Sequence, residues 1–410
     1  MAFTKSTRQS SKGKWLSIVG ARPQFVKLGP VCRAIQQHNE NAADELIEHC
    51  IVNTGQHYDR EVSDLLFEQM DLPEPNYNLA VGSGSSVVQL ARMLERLEPI
   101  LAAENPDWFL AYGDTTSTLA GALSASRLGV PLVHIEAGCR SFDMGMPEEQ
   151  ARVITDHLSR VLLVPSRAAL ENLHREGIGT PDDPRGRRSA IVGDVMHDAL
   201  LQNLHLAEPR SAETLHHYGL QPKKFYLLTI HRAENTGNVD LLRDLLETIG
   251  SLDLPVLFPV HPRTRLVMAA AAFAYPGKLI PVAPLGYLEM LALEKNARMI
   301  LTDSGGVQKE AFYLGVPCVT LRERTEWPET LEAGANILVG VDADKIRDAV
   351  RSGLADARWN VAPYGHGDAA EKIVAEIMAA TRSSNTPVEL QSSPTEFQPV
   401  PQGAKSAGIS

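Results

Sequence analysis

Cysteine is scarce in this sequence, and long apolar segments are missing altogether. The 410 residues include 4 cysteines and no CxxC pair, so the thiolate spacing of a structural zinc site is lacking. Each cysteine lies in or beside an apolar stretch, which favours reduced thiols and therefore a cytoplasmic protein. No apolar run reaches the roughly 18 residues that a membrane helix needs. Residues 1–14 are basic and rich in serine but lack the apolar core of a signal peptide, so they predict a short extension.

Positive charge is not in excess either. The formal net charge is −11, which argues against a protein that binds nucleic acid or a membrane surface over a broad area. An anionic ligand must therefore be held in a local pocket. A chain of this length exceeds what a single hydrophobic core usually serves, so about two domains are expected.

Several catalytic and nucleotide-binding signatures are also absent. The sequence contains no GxxxxGK[ST] P-loop, no HExxH zinc motif and no GxSxG nucleophile elbow, which argues against the enzyme classes built on them. The segment Gly82-Ser83-Gly84-Ser85-Ser86 looks like the start of a dinucleotide-binding fingerprint, but it has no third glycine and follows a proline-containing loop. A nicotinamide or flavin cofactor is therefore not expected.

Short apolar strands alternate with amphipathic helices from residue 15 to residue 380. The alternation predicts right-handed βαβ units and parallel sheets, and it begins anew after a loop rich in proline, glycine and charge at 177–188. The sequence therefore predicts an α/β protein with two Rossmann-like domains facing a cleft. The predicted divisions are a flexible extension at 1–13, an N-terminal domain at 14–198, a C-terminal domain at 199–365, a C-terminal helix at 366–382 and a disordered tail at 383–410.

The segment Asp303-Ser304-Gly305-Gly306 follows an apolar strand and precedes a helical pattern. The first backbone N–H groups of a helix have no partner within it and, together with the helix dipole, they favour phosphate oxygens. Two glycines let a bulky anion approach the backbone, and Glu310, about one turn further, is placed to accept hydrogen bonds from a ribose. A plain strand-to-helix turn, with glycines for tight packing, explains the same residues.

Carboxylates follow strands of the N-terminal half. Asp114 and Glu136 each come directly after a predicted strand, and Glu148 opens the next helix. Taken singly, each is explained as a helix cap or a turn residue. The carboxyl ends of parallel strands meet at one edge of a sheet, so the three carboxylates are expected to converge. Neighbouring charges and burial would separate their pKa values and give an acid and a base near neutral pH.

Basic residues occupy corresponding places in both halves. His231 and Arg232 follow one strand of the C-terminal half, and His261 follows the next. A histidine after an apolar strand is often an interior residue, but beside a phosphate site these side chains predict charge-assisted contacts with a pyrophosphate. Arg22 and Lys27 of the N-terminal half are expected to serve the same anion, or the sugar, from across the cleft.

The motifs that stand in order along residues 15–380 are Gly20-Ala21-Arg22-Pro23, Gly55-Gln56-His57, Gly113-Asp114-Thr115-Thr116, Ile135-Glu136-Ala137-Gly138, Pro147-Glu148-Glu149, Val192-Gly193-Asp194, His231-Arg232, Asp303-Ser304-Gly305-Gly306 and Thr325-Glu326. Together they resemble the motifs of the non-hydrolysing UDP-N-acetylglucosamine 2-epimerases. The resemblance implies a glycosyltransferase-B-like fold, UDP held mainly by the C-terminal domain, inversion of C2 of a UDP-2-acetamido sugar without nicotinamide, and a homodimer.

The resemblance also implies roles for individual residues. The implied catalytic residues are Asp114, Glu136, Glu148 and His231. The predicted substrate-binding residues are Arg22, Lys27, Gln56, His57, Arg232, His261, Ser304, Gly305, Gly306 and Glu310. No metal ion is expected, because the phosphate site is made of protein groups.

Elimination is the route that remains for such an epimerisation. C2 of a pyranose has no adjacent carbonyl, so its proton is not removed as an enolate proton. UDP would leave C1 while a base takes the C2 proton, a 2-acetamidoglycal would form, and UDP would re-add after a proton arrives on the opposite face. The reaction needs stabilisation of the departing pyrophosphate and acid/base groups on both sugar faces.

Three places depart from the common bacterial pattern of the family. Gln24 stands where glutamate is usual, Trp327 stands where arginine is usual, and the Gln56-His57-Tyr58-Asp59 turn differs from the Gln-His-Arg form associated with activation by substrate. The first two resemble the branch that acts on UDP-2,3-diacetamido-2,3-dideoxyglucuronic acid for surface polysaccharide. That sugar is therefore the alternative to UDP-N-acetylglucosamine. A retaining glycosyltransferase of the same fold, a hydrolysing relative and a nucleotide-sugar binding module are further alternatives.

Overall fold

Two parallel sheets organise the protein. The structure is a computed structural model that describes residues 13–42, 44–55, 72–271 and 273–384. One sheet has seven strands and the other has six, which confirms the predicted α/β fold with two Rossmann-like domains. The predictions for the N-terminal extension, the disordered tail, Gln56 and His57 fall on residues 1–12, 385–410 and 56–71, which lie outside the described residues.

The central strands of the N-terminal half are short apolar runs covered on both faces, as is usual for parallel sheets. In the strand Trp108–Tyr112, for example, every residue is buried. The elements of this half are β1 Gly13–Val19, α1 Arg22–Asn41, β2 Ile47–Asn53, β3 Tyr77–Asn78, α2 Ser86–Glu104, β4 Trp108–Tyr112, α3 Thr116–Arg127, β5 Leu132–Ile135, α4 Pro147–Leu158, β6 Val161–Val164, α5 Arg167–Arg175 and β7 Arg188–Ile191.

A helical connection leads to the second sheet, and a final helix follows it. The elements are α6 Val195–Ala207, a 3₁₀ turn Glu208–Arg210, α7 Ser211–His217, β8 Tyr226–Thr229, α8 Ala233–Thr236, α9 Val239–Gly250, β9 Val256–Pro259, α10 Pro262–Ala270, β10 Leu279–Val282, α11 Tyr287–Asn296, β11 Met299–Thr302, α12 Gly305–Tyr313, β12 Cys318–Thr320, α13 Pro328–Glu332, β13 Asn336–Leu338, α14 Ala343–Ser352 and α15 Ala369–Ser384.

The strand order places the predicted site residues. The first sheet runs β3-β2-β1-β4-β5-β6-β7 and the second runs β10-β9-β8-β11-β12-β13, so the order reverses between β1 and β4 and between β8 and β11. Open parallel sheets bind ligands outside the carboxyl ends of the strands at such switch points. Arg22 follows β1, Asp114 follows β4, His231 follows β8 and Asp303 follows β11. The candidate residues of both halves therefore flank the two switch points.

Helix α1 begins at Arg22, earlier than the apolar helical spacing from Val26 onward indicates. The earlier start is possible because a proline fits the first helical turn, where its missing N–H is not needed. Gln24 stabilises the N-terminus of α1, because its side-chain oxygen accepts hydrogen bonds from the backbone N–H groups of Gly20 and Ala21 at 2.9 and 3.1 Å.

The Gln24 amide also explains why glutamine suits this position better than glutamate. Its Nε2 donates to the Tyr112 carbonyl oxygen and to the Thr118 hydroxyl, both at 3.0 Å. A carboxylate has no N–H and would face the carbonyl oxygen with a charge. The amide therefore joins the start of α1 to the end of β4, just before Asp114.

The final helix, α15, returns to the N-terminal half. The backbone N–H groups of Ala369 and Ala370 donate to the Asp198 carboxylate at 3.2 and 2.8 Å, and the Trp108 indole donates to Thr381 at 2.8 Å. Asp198 lies within α6, which continues through the predicted division between residues 198 and 199. The division of the chain into domains at this point stays a prediction.

All four cysteines are free thiols, as predicted. Burial raises the pKa of Cys32 and of Cys318 to about 12, which keeps both sulfurs protonated and unreactive. No helix in the described part of the chain is long and apolar enough to cross a membrane.

Candidate active site

Glu136 lies at the centre of a buried cluster of four charges between the two sheets. Its Oε2 accepts a hydrogen bond from the Lys27 ammonium of α1, and its Oε1 accepts one from Lys309 Nζ of α12 at 2.7 Å. Lys309 Nζ also lies 2.7 Å from Asp194 Oδ2. None of these four side chains is more than 9% exposed. Two cations therefore balance two carboxylates, which we call the Glu136 cluster.

Glu136 and Lys309 are both charged at neutral pH. Burial by itself would raise the pKa of the Glu136 carboxyl, but Lys27 and Lys309 outweigh burial and hold that pKa well below its usual range. Burial lowers the pKa of Lys309, whereas Asp194 and Glu136 raise it above its ordinary value. A carboxylate paired with two ammonium groups is a weak base, so Glu136 gains basicity only when one of them moves away.

The backbone around Glu136 is shaped to present this side chain. Glu136 has a φ of 74°, a left-handed conformation that residues with a side chain rarely adopt. Its N–H and that of Ala137 both donate to the Leu163 carbonyl, at 3.0 and 3.1 Å. Gly113 also has a positive φ, and a Cβ there would lie 2.9 Å from Lys27 Nζ and 3.0 Å from Glu136 Oε2. The glycine before Asp114 therefore makes room for the Lys27–Glu136 pair.

Asp114 belongs to a second network of charges, which crosses the cleft. Arg152 of α4 donates to the Asp114 carboxylate and, at 2.8 Å, to Glu149, and its guanidinium lies 3.6 Å from Glu326 Oε1. Arg322 binds both oxygens of Glu326, at 3.0 and 3.1 Å. The Asp114 side chain remains 30% exposed, so a ligand can reach it.

The neighbouring carboxylates Glu148 and Glu149 have different surroundings in the first turn of α4. Glu149 is buried and accepts hydrogen bonds from the backbone N–H groups of Ser141 and Phe142, both at 2.9 Å, so it fixes the loop that precedes α4. The Glu148 side chain is half-buried and makes no hydrogen bond or ion pair with the residues that the structure describes. Of these two neighbouring carboxylates, Glu148 is therefore the one available to a ligand.

The segment Ser304-Gly305-Gly306 opens α12, as predicted. Ser304 caps the helix, since its hydroxyl accepts a hydrogen bond from the Val307 N–H at 3.5 Å. A Cβ at Gly306 would meet a single described atom within 4 Å, the Ser304 hydroxyl oxygen at 3.9 Å. The space beside the N-terminus of the helix is therefore open to an anion.

Asp303 joins this helix start to the end of β8. Its buried carboxylate accepts hydrogen bonds from the backbone N–H groups of His231 and Arg232, at 3.0 and 2.9 Å, and its Oδ1 lies 3.0 Å from His231 Nδ1. Burial raises the pKa of Asp303, but the His231 ring and these donors outweigh it and lower the pKa. The His261 ring lies 5.6 Å from the His231 ring, between centroids. The structure thus brings His231, Arg232 and His261 to the same end of the second sheet as Gly305.

Arg22 reaches across the cleft toward Glu310. Its Nη1 donates to the Leu285 carbonyl of the second half at 3.2 Å, and its guanidinium lies 5.8 Å from the Tyr287 ring centroid. Glu310 is buried on α12 near Glu294 of α11. Burial raises the pKa of Glu310 against the opposing effect of Arg22, and burial together with the charge of Glu310 raises the pKa of Glu294 well above its usual value. The ribose contact of Glu310 stays a prediction.

Sequence reasoning missed Lys309 and Arg152 as site residues. Each lies about one turn inside a helix, Lys309 in α12 and Arg152 in α4, and the residues beside it on the same helical face are buried. A long cationic side chain on a buried helical face must find a carboxylate, because an unpaired buried charge is very costly. That pattern was the available signal, whereas the identity of the partners depends on how the two halves pack.

Glu326 is expected to make the fold sensitive to acid. Burial would raise its pKa, but Arg152 and Arg322 outweigh burial and lower it from 4.5 to about 2. Because the folded-state pKa lies below the unfolded value, these ion pairs stabilise the fold above about pH 5 and cease to do so as the pH falls through about 2. A shift of this size corresponds to about 3 kcal/mol. Glu326→Gln should therefore lower the free energy of unfolding by about 3 kcal/mol at pH 7.

Urea unfolding between pH 7 and pH 2 measures this effect. The difference between the wild type and Glu326→Gln should shrink toward zero at the acid end. The exposed neighbour Glu323 supplies the control, since Glu323→Gln should change the free energy by no more than about 0.5 kcal/mol. If the free energy of unfolding of Glu326→Gln stays below that of the wild type by a constant amount from pH 7 to pH 2, the charge of Glu326 is not what stabilises the fold.

Comparison with known proteins places the chain in a family. A model of the UDP-N-acetylglucosamine 2-epimerase family matches residues 39–378. A Methanococcus maripaludis UDP-N-acetylglucosamine 2-epimerase homolog is 46% identical over 368 residues, covering 88% of this chain and 98% of its own. A Pseudomonas aeruginosa UDP-2,3-diacetamido-2,3-dideoxy-D-glucuronate 2-epimerase is 42% identical, covering 89% and 99%.

A solved structure agrees with this match. The crystal structure of Methanocaldococcus jannaschii UDP-GlcNAc 2-epimerase in complex with UDP-GlcNAc and UDP has a TM-score of 0.81 to this protein at 41% identity, covering 89% of this chain and 99% of that one. This protein therefore belongs to the UDP-N-acetylglucosamine 2-epimerase family.

Proposed function

We propose that this protein inverts C2 of a UDP-2-acetamido sugar by eliminating UDP and adding it back. The observation that carries the proposal is the position of Glu136. Its carboxylate is bound by a lysine from each half of the chain, next to the turn that holds Asp114, while α12 supplies both Lys309 and the open space at Gly306 beside the helix start. Proton-transfer groups and an anion site therefore face one another across the cleft.

Each half has its own part in the proposed reaction. The C1–O bond breaks with its electron pair on the β-phosphate oxygen, and the helix start with His231 and Arg232 stabilises the departing charge. A carboxylate takes the C2 proton and the C1=C2 double bond forms. A proton is then delivered to C2 on the opposite face, and UDP bonds again to C1. Asp114, Glu136 and Glu148 are the proposed acid/base groups, with Lys27 and Arg22 contacting the substrate.

Lys27 links substrate binding to the basicity of Glu136 in this proposal. The partner of its ammonium group in the described structure is Glu136, whereas Lys309 is held by two carboxylates. A negatively charged nucleotide sugar in the cleft competes with Glu136 for Lys27. Withdrawal of Lys27 removes one of the two charges that depress the pKa of Glu136 and makes that carboxylate a stronger base.

UDP-N-acetylglucosamine is the proposed substrate, converted to UDP-N-acetylmannosamine. This is the sugar nucleotide in the names of the family and of the Methanocaldococcus enzyme. The diacetamido-glucuronate is the second candidate, because a 42% identical relative is named for it and Trp327 stands beside the helix start at Gly305. A cytoplasmic homodimer that supplies polysaccharide precursors is part of the proposal, and light scattering tests the dimer.

Proton NMR of the products tests the proposed function. The purified protein is incubated separately with UDP-N-acetylglucosamine and with the UDP-diacetamido-glucuronate, and the anomeric and C2 protons are followed. The proposal predicts a stable mixture of gluco and manno epimers with at least one of the two sugars. Formation of free sugar and UDP alone would identify a hydrolase, and the absence of a manno product with both sugars would overturn the proposal.

A further inference from the structure

Trp327 carries a buried hydrogen-bond donor that has no acceptor among the described residues. The side chain is 6% exposed, and its indole N–H makes no hydrogen bond within the described residues. Buried polar groups in folded proteins nearly always have a partner, and one without a partner marks a place where an ion, a water molecule or a ligand belongs. An unpaired donor on a buried aromatic side chain therefore requires an explanation.

This donor lies at the N-terminus of α12. A Cβ built on Gly305, the first residue of the helix, would be 3.1 Å from the indole nitrogen and 3.6 Å from Glu326 Oε2. The unpaired backbone N–H groups of the first helical turn belong to the same place. Trp327 thus adds a side-chain donor to the donors of the helix start.

The indole is held in one orientation from several sides. Lys309 Nζ lies 3.8 Å from the ring centroid, and the Tyr364 ring packs edge-on at 5.9 Å. The backbone N–H of Trp327 donates to the Thr325 hydroxyl at 3.1 Å, and that hydroxyl donates to Gln308 at 2.6 Å. A ring fixed in this way cannot turn its N–H toward another acceptor, so an acceptor must come to it.

We propose that the Trp327 indole N–H donates a hydrogen bond to the β-phosphate of the bound UDP-sugar. The ring stands between Gly305 and the Lys309–Glu136 pair, so the phosphate nearest to it is the one on the sugar side, where the C1–O bond breaks. The charge of Lys309 is already balanced by Glu136 and Asp194. Trp327 therefore stabilises the leaving group as a neutral, preorganised donor where the common family pattern has an arginine.

This inference rests on the proposed function for the binding of a UDP-sugar, and it concerns how the diphosphate of that ligand is held. The step needs no co-reactant, since the hydrogen bond follows the phosphate oxygen as it gains the electron pair from C1. The bond should be stronger to the departing UDP than to the intact substrate, because the acceptor gains charge.

Isothermal titration calorimetry with UDP and UMP tests the proposal. Trp327→Phe keeps a ring beneath Lys309 and removes the N–H. Its Kd for UDP should rise about tenfold, the size of one hydrogen bond to a charged group, while its Kd for UMP stays within about twofold. The matched control is Trp359→Phe at a tryptophan that is 40% exposed, and it should change neither constant. Unchanged UDP affinity, or an equal loss for UDP and UMP, would overturn the proposal.

A measurement on the unaltered protein keeps the test independent of how the variant folds. The chain has 4 tryptophans, so nitrogen-15 NMR gives few indole resonances. The Trp327 resonance, identified by its absence in Trp327→Phe or by its contact with Tyr364, should move downfield with UDP and less with UMP, because a charged acceptor strengthens the bond. A Trp327 resonance that UDP leaves in place would contradict the proposal. Failure of the wild type to bind UDP at all would instead overturn the proposed function.

Discussion

Asp114→Asn and Glu148→Gln are each expected to lower the turnover of the UDP-sugar by about 10³-fold, while the Kd for UDP stays within about threefold. General acid–base groups contribute roughly 10² to 10⁴ in rate, and an amide of the same shape cannot exchange the proton. Asp114 is held by Arg152 and remains partly exposed, whereas Glu148 makes no bond within the described residues. Coupled NMR assays of turnover and calorimetry of UDP binding separate the two effects.

Glu149→Gln is the matched control for these variants, because Glu149 neighbours Glu148 on the chain but holds the loop before α4. The Glu149→Gln variant should melt at a lower temperature than the wild type, because two backbone N–H groups and Arg152 lose a charged acceptor. Asp114→Asn and Glu148→Gln should melt close to the wild type by comparison. Turnover that is unchanged in both of these variants would refute the assignment of the acid/base groups.

Gly306→Asp is expected to weaken UDP binding by at least about 100-fold without unfolding the protein. The added carboxylate would stand in the space beside the start of α12, where it competes with the phosphates for the helix N–H groups and repels them. The same carboxylate suits the first turn of a helix, so the melting temperature should not fall. Calorimetry with UDP and thermal melting are the two measurements.

Gly306→Ala supplies the steric control for the aspartate. A Cβ at this position has one described neighbour within 4 Å, at an ordinary contact distance of 3.9 Å. The alanine variant should therefore change the Kd for UDP by no more than about fivefold and should melt at or slightly above the wild-type temperature, because alanine favours the helix more than glycine does. Equal affinities of the alanine and aspartate variants for UDP would place the diphosphate away from this helix start.

The fold could be predicted from the sequence because the residue periodicities of strands and of helices are both regular in it. Apolar runs, most of them four to seven residues long, alternate with helical patterns, and parallel strands joined by helices bring every strand end to the same edge of a sheet. The places of Asp114, Glu136 and Ser304 follow from that rule alone. The start of α1 does not, because it depends on Gln24 bonding to the end of β4, a contact between segments far apart in the chain.

The partners of the charged residues could not be predicted in the same way. Nothing in the spacing of Lys309 or Arg152 shows which carboxylates they meet, since Glu136 and Asp194 come from other segments and Glu326 from the opposite half. The same holds for the unpaired donor of Trp327, which becomes evident only when Gly305 is placed beside it. Residues that contact each other across the cleft are set by the packing of the two halves.

Deuterium incorporation at C2 tests whether the N-terminal half removes and returns the C2 proton while the C-terminal half holds UDP through its departure and return. The wild type is incubated in heavy water with the sugar that it epimerises, and C2 of both recovered epimers is examined by NMR and mass spectrometry. We expect one solvent deuterium at C2 of every newly formed epimer, and none with Asp114→Asn. Formation of the manno epimer with its original hydrogen still at C2 would contradict it.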